Sequence, residues 1–177
     1  MTKIMILEDS IDSLKALKAI VESVSKDIAV IPVKSLEEAR AALQDEANLF
    51  QAFLLDINLD EQKPQDASGM EFAREVRNDS RYVFTPVIMI TSLASLELAA
   101  YRELHCYQYI LKPYQREEIE KLIRKVLFQT GESKEPFVLV KKDGINYKIY
   151  CKDIMYLYAI PRGVCLVLKK ETMKVPY

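Results

Sequence analysis

Along the first 128 residues, short runs of consecutive apolar positions alternate with longer stretches in which apolar positions recur every three or four residues. The runs are Ile4–Leu7, Ile28–Ile31, Phe53–Leu55, Val87–Ile90 and Tyr107–Ile110, and their length and boundaries predict β-strands. The first four are apolar on both faces, the pattern of a sheet covered by helices on both sides. Between them, Ile11, Leu14, Leu17, Val21 and Val24 fall on one helical face, as do Ile119, Leu122, Ile123, Val126 and Leu127. The spacing predicts helices over 11–25, 36–47, 69–79, 93–103 and 115–128. Ser35, with Glu38 three residues on, has the form of a capping box and marks one helix start. Strand and helix alternate five times, so the expected class is α/β: a doubly wound, parallel five-stranded (βα)5 sheet.

After Phe128 the pattern changes. QTGESKEP is polar and ends in proline, which predicts a linker over 129–135. FVLVKKDGINYKIY then reads as two strands around a Lys-Asp-Gly turn, and MYLYAIPRGVCLVLKK as two more around Pro-Arg-Gly. Residues 136–177 are therefore expected to form a small all-β segment behind a domain spanning 1–128.

Half of the 177 residues are apolar, enough for one sizeable core and a smaller piece. The net charge of −1 hides an asymmetry: 16 basic and 21 acidic residues precede Gly131, while 9 basic and 5 acidic residues lie from Gly131 onward. The first domain is thus acidic and the tail has a net charge of +4. Cys106, Cys151 and Cys165 form no CxxC pair, and His105 is the lone histidine, so a disulfide framework or zinc site is not expected. The amino-terminal MTKIMILEDS meets acidic residues after four apolar ones, which fits neither a signal peptide nor a membrane span. A cytoplasmic protein without a membrane partner is the expectation.

In an open parallel sheet, ligands bind beyond the carboxyl ends of the strands. The first strand ends in Glu8-Asp9, the third in Asp56 and the fourth in Thr91, and the fifth is followed by Lys112-Pro113. Three carboxylates crowded at one rim repel each other unless a cation neutralises them, and all-oxygen ligands suit Mg²⁺. Asp9, Asp56 and the backbone carbonyl of Asn58 are the expected direct ligands, with Glu8 reaching through water. Asp56, central in the sheet, is the expected nucleophile for a phosphoryl group, with Lys112 as counter-charge and Thr91 as hydrogen-bond donor to the product.

IMILEDS, FLLDINL, PVIMITS and YQYILKP, taken with this site, resemble the receiver (CheY-like) domain of two-component response regulators. The resemblance spans residues 3–128 and implies a flavodoxin-like strand order of 2-1-3-4-5. It also implies phosphorylation of Asp56 by a sensor histidine kinase, slow self-dephosphorylation without conventional enzyme activity, and a cis peptide at Lys112-Pro113. From it, too, comes a switch in which Thr91 moves toward the phosphoryl group and Tyr109 turns inward. The face of helix 4, strand 5 and helix 5 then changes shape and is a possible homodimer surface. The loop LDEQKPQDAS, within 59–68, is longer than the usual receiver loop; either it restricts which kinase docks or it is a neutral insertion.

The tail resembles the beginning of a LytTR-type DNA-binding domain through FVLVKKDGINYKIY, KDIMYLYAIPRGVCLVLKK and ETMKVPY, as in regulators of the LytR/AlgR type. The part present is shorter than such a domain, so DNA binding is expected of a longer protein and weak or absent here, with Arg162 as the one position matching a DNA-contacting loop. The leading expectation is a phosphorylation-controlled transcriptional regulator; the alternative is a signalling adaptor acting through protein contacts, in which the β tail could also dimerise. A flavin enzyme on the same topology is disfavoured, because no glycine-rich loop follows the first strand and EDSID would repel a nucleotide phosphate.

Overall fold

The computed structural model describes residues 1–60, 62–63, 65–131, 137–142 and 145–176, which fall into two compact units, Met1–Phe128 and Gln129–Tyr177. The first unit holds β1 (Thr2–Leu7), α1 (Ile11–Val24), β2 (Ile28–Val33), α2 (Leu36–Gln44), β3 (Phe50–Leu55), α3 (Ser68–Asn78), β4 (Val87–Thr91), α4 (Glu97–Leu104), β5 (Gln108–Leu111) and most of α5 (Arg116–Gly131). Every strand pair is parallel and the order is β2-β1-β3-β4-β5, as expected for the (βα)5 class.

The two-sided apolar pattern of β1 explains its central place. Ile4 and Ile6 pack with Leu14, Leu17 and Val21 of α1 and with Ile119 and Ile123 of α5. Met5 and Leu7 point the other way, into a cluster with Phe72, Ala73 and Val76 of α3. No side chain from Ile4 to Leu7 is more than 1% exposed, so both faces are fully covered. Pro32, which cannot donate to a sheet ladder, sits exposed on the edge strand β2, where this omission is tolerated.

Three element ends differ from expectation for local reasons. Helix α2 stops at Gln44 because Asp45 turns the chain: its carboxylate accepts the Ala47 N–H at 2.9 Å and its carbonyl the Asn48 N–H at 2.9 Å. The helix expected over 93–103 is a 3₁₀ turn, Ala94–Leu96, followed by α4, which ends where His105 adopts φ 48°. Helix α5 continues to Gly131, into the stretch read as linker. The start of α2 follows its capping pattern: Glu38 N–H donates to Ser35 Oγ at 3.2 Å, and the Glu38 carboxylate accepts the Lys34 N–H at 2.8 Å.

In the second unit, β6 (Phe137–Lys142) and β7 (Ile145–Tyr150) form one antiparallel pair, and β8 (Ile154–Ile160), β9 (Gly163–Leu168) and β10 (Thr172–Pro176) a three-stranded sheet with β9 in the middle. Ile149, Leu166 and Met173 form its small core. On β8, Met155, Tyr156, Leu157 and Tyr158 are exposed. Residues 132–135 of the expected linker, Pro136 of the expected β segment and 143–144 of the Lys-Asp-Gly turn lie outside the described residues, as do Glu61 and Pro64 of the long loop. Among the described residues, no helix is long and apolar enough to cross a membrane.

Candidate functional site

The first and third strands carry their carboxylates to a common rim by extending the sheet one residue. Glu8 N–H donates to Val33 O at 3.1 Å and Asp56 N–H to Leu7 O at 2.9 Å, so both backbones are fixed before their side chains diverge. Glu8, Asp9 and Asp56 each offer a carboxylate oxygen, and the three oxygens lie within 4.8 Å of one another. Glu8 is 2% and Asp56 6% exposed, which makes their proximity costly without a counter-charge. Lys112 supplies one. It follows β5, is tied to β4 by its N–H on Thr91 O at 2.9 Å, and precedes a cis bond to Pro113. Its Nζ lies 2.6 Å from Glu8 Oε2 and 2.5 Å from Asp56 Oδ2.

Burial is the main influence on Glu8 and pushes its carboxyl above the usual range; Lys112 pulls the other way, and the charges of Asp56 and Asp9 add to the rise. For Lys112 burial opposes the charge, but hydrogen bonds to Asp56 and Glu8 outweigh it and hold the amine above its ordinary value. Three carboxylates against one ammonium leave an excess of negative charge. The donors are all oxygen, a set that fits a hard divalent cation.

These groups border a cavity of about 390 Å³ lined by Glu8, Asp9, Ser10, Ser13, Asp56, Asn58, Ser92 and Lys112. Five of the residues expected from strand ends are thus together: Glu8, Asp9, Asp56, Asn58 and Lys112. Thr91 is different. It is fully buried, with its Oγ1 accepting the Leu93 N–H at 3.3 Å, and Ser92 takes its place on the cavity wall. Tyr109 is buried and its hydroxyl donates to Leu93 O, while its N–H donates to Tyr101 Oη at 3.2 Å. Burial, with the charge of Glu97 added, pushes the Tyr109 phenol up to about 12. Arg162 belongs to the other unit, exposed at the turn between β8 and β9 with φ 60°.

Sequence reasoning missed four neighbours of this site. Ser10 caps α1, accepting the Ser13 N–H at 3.4 Å, so both serines come with the helix start that follows Glu8-Asp9. Ser92 was signalled only by its place after Thr91. Gly69, in the first turn of α3, donates to Ile57 O at 2.9 Å, and a Cβ there would lie 1.9 Å from the Asp56 carbonyl oxygen. The absence of a side chain lets α3 pass directly beneath the backbone of Asp56. The long loop between them is closed by its own polar groups: Asn58 Nδ2 donates to Lys63 O at 3.1 Å, and the Asp66 carboxylate accepts from Leu59 N–H at 3.0 Å and Ser68 O–H at 2.6 Å.

The profile of the response regulator receiver domain matches residues 4–124. The sensory transduction protein LytR of Staphylococcus epidermidis is 30% identical over 100 residues, 56% of this chain and 36% of that protein, so the match spans little more than a third of that relative's length. The chemotaxis response regulator CheY4 of Vibrio cholerae superposes with a TM-score of 0.57 at 26% identity, covering 72% of this chain and 99% of that one. The response regulatory domain of protein mrkE from Klebsiella pneumoniae superposes with a TM-score of 0.62 over 75% of this chain and all of its own; at 22% identity this likeness speaks to fold alone.

Proposed function

The chain belongs to the response regulator receiver domain family of two-component signalling, and from that premise we propose that Asp56 accepts a phosphoryl group from a sensor histidine kinase. The observation that supports this most directly is the buried Glu8–Lys112–Asp56 arrangement, with Asp9 beside it and an open cavity in front. An Asp56 carboxylate oxygen attacks phosphorus, the P–N bond to the donor histidine breaks, and the imidazole leaves with the bonding pair and takes up a proton. The product is an acyl phosphate.

Mg²⁺ is the cofactor that the oxygen donors fit; Asp9, Asp56 and the Asn58 backbone carbonyl would hold it directly and Glu8 through water. When bound it supplies charge neutralisation for the incoming phosphate. Lys112 stays protonated and faces the phosphoryl oxygens, and Thr91 turns its hydroxyl to one of them. Hydrolysis of the acyl phosphate by water at the same site gives a slow self-dephosphorylation. Incubation with acetyl phosphate and Mg²⁺ followed by intact-mass measurement tests the assignment: the wild-type protein gains one phosphoryl group and Asp56→Asn gains none. Equal labelling of the two proteins would overturn it.

For the output, we propose that residues 1–128 act as the receiver, 129–135 as linker and 136–177 as the first part of a LytTR-like DNA-binding domain, in a cytoplasmic transcriptional regulator. The net positive charge of the tail and the exposed Arg162 support this reading, as does the likeness to LytR. DNA contact then belongs to a longer protein, and homodimers form through α4, β5 and α5 or through the β tail. The exposed Met155 to Tyr158 stretch favours a second reading, an adaptor that binds protein. Gel-shift measurements at low salt separate the two: DNA retained by the longer gene product supports the regulator, and none retained supports the adaptor.

A further inference from the structure

On β5 the N–H of Tyr109 faces away from β4, along the open edge of the sheet, and finds its acceptor in α4: Tyr101 Oη, 3.2 Å away. The same residue uses its hydroxyl on Leu93 O, in the segment that leads from β4 into α4. Leu93 in turn gives its N–H to Thr91 Oγ1 at 3.3 Å. A continuous series of hydrogen bonds therefore runs from Thr91, at the end of β4, through Leu93 and Tyr109 to Tyr101. Its inner end is fully buried beside the acidic pocket, while Tyr101 is 39% exposed on α4.

We propose that Tyr101 is a positioning residue for Tyr109: its phenolic oxygen latches the β5 edge to α4, and the latch loosens when Thr91 leaves Leu93 for a phosphoryl oxygen. The inference rests on the receiver reading for its trigger, but the latch itself stands on the contacts alone. Tyr109 is held at two points, and both holds run to the segment containing α4. When Thr91 Oγ1 turns toward the pocket, the Leu93 N–H loses its acceptor and Leu93 is free to shift. The Leu93 carbonyl shifts with it, altering the Tyr109 hydroxyl bond, so that of the two ties from Tyr109 to the α4 segment the one to Tyr101 carries the load, while β5 keeps its ladder to β4. No covalent step is involved, and the two arrangements differ in which hydrogen bonds are made.

Tyr101→Phe tests this while keeping the ring. In the full chain, hydrogen exchange of the Tyr109 amide, followed by NMR, should quicken about fivefold to tenfold relative to wild type, the factor expected for one net hydrogen bond. The thermal midpoint should fall by no more than a few degrees, as one hydrogen bond allows, and Asp56 labelling by acetyl phosphate should be retained, because Tyr101 does not line the pocket. In the wild type, acetyl phosphate with Mg²⁺ should itself quicken Tyr109 exchange; in the variant the donor should add little further change. Unchanged Tyr109 exchange in the variant would overturn the latch, and so would a donor response as large as that of wild type. If wild-type protein is not labelled at all, the receiver reading fails, while donor-free exchange still decides the latch.

Discussion

At the scale of single residues, the site is a crowd of carboxylates that one ammonium balances only in part. Lys112→Met removes the partner of two buried carboxylates and should lower metal-free stability by about 3 kcal/mol in urea melts, with much of the loss recovered on adding Mg²⁺. Glu8 adds a pH dependence of definite sign. Its carboxyl, raised above the ordinary 4.5, keeps its proton in the folded protein after the unfolded chain has lost one. Metal-free stability should therefore fall as pH rises above 4.5, until folded Glu8 has also ionised; Glu8→Gln should flatten that fall in melting temperature measured against pH. Most of these residues were legible in the sequence because each stands at the end of an apolar run, where a parallel sheet delivers its side chains. The hydroxyl of Thr91 was legible as to place but not to orientation, because its bond to the Leu93 N–H depends on the 3₁₀ turn that follows.

At the scale of elements, the start of α3 and the end of β3 pass close together at Gly69. Gly69→Ala would set a methyl group 1.9 Å from the Asp56 carbonyl oxygen, so α3 must retreat and Asp56 must move with its backbone. A loss of about 2 kcal/mol or more in chemical denaturation is expected, together with slower acetyl phosphate labelling. Nothing in the hydrophobic pattern singled out Gly69, because the pattern records what faces the core and not how near two backbones pass. Element ends escaped for the same reason. Asp45 closes α2 through its own carboxylate, and His105 ends α4 in a left-handed conformation, local polar choices that periodicity does not carry.

At the scale of the whole molecule, the (βα)5 order was legible because two-sided apolar strands leave few other ways to be covered. Less could be read from the second unit, whose short strands bury few apolar side chains: among the described residues, Ile149, Cys165, Leu166 and Met173. Residues 1–131 contain both faces of the parallel sheet and all of α5. That fragment alone should unfold cooperatively, with a melting temperature near that of the full chain's first unit, and should still be labelled at Asp56; calorimetry and mass measurement check both. The bridge between Lys112 and Glu8 joins residues 104 apart in sequence, and that between Lys112 and Asp56 residues 56 apart. Such distant partners meet late, after the loops between them have been closed. A nascent or half-assembled chain thus holds Asp56 without its neighbours, and on the proposed function its competence to take phosphate would report that folding of the domain is complete.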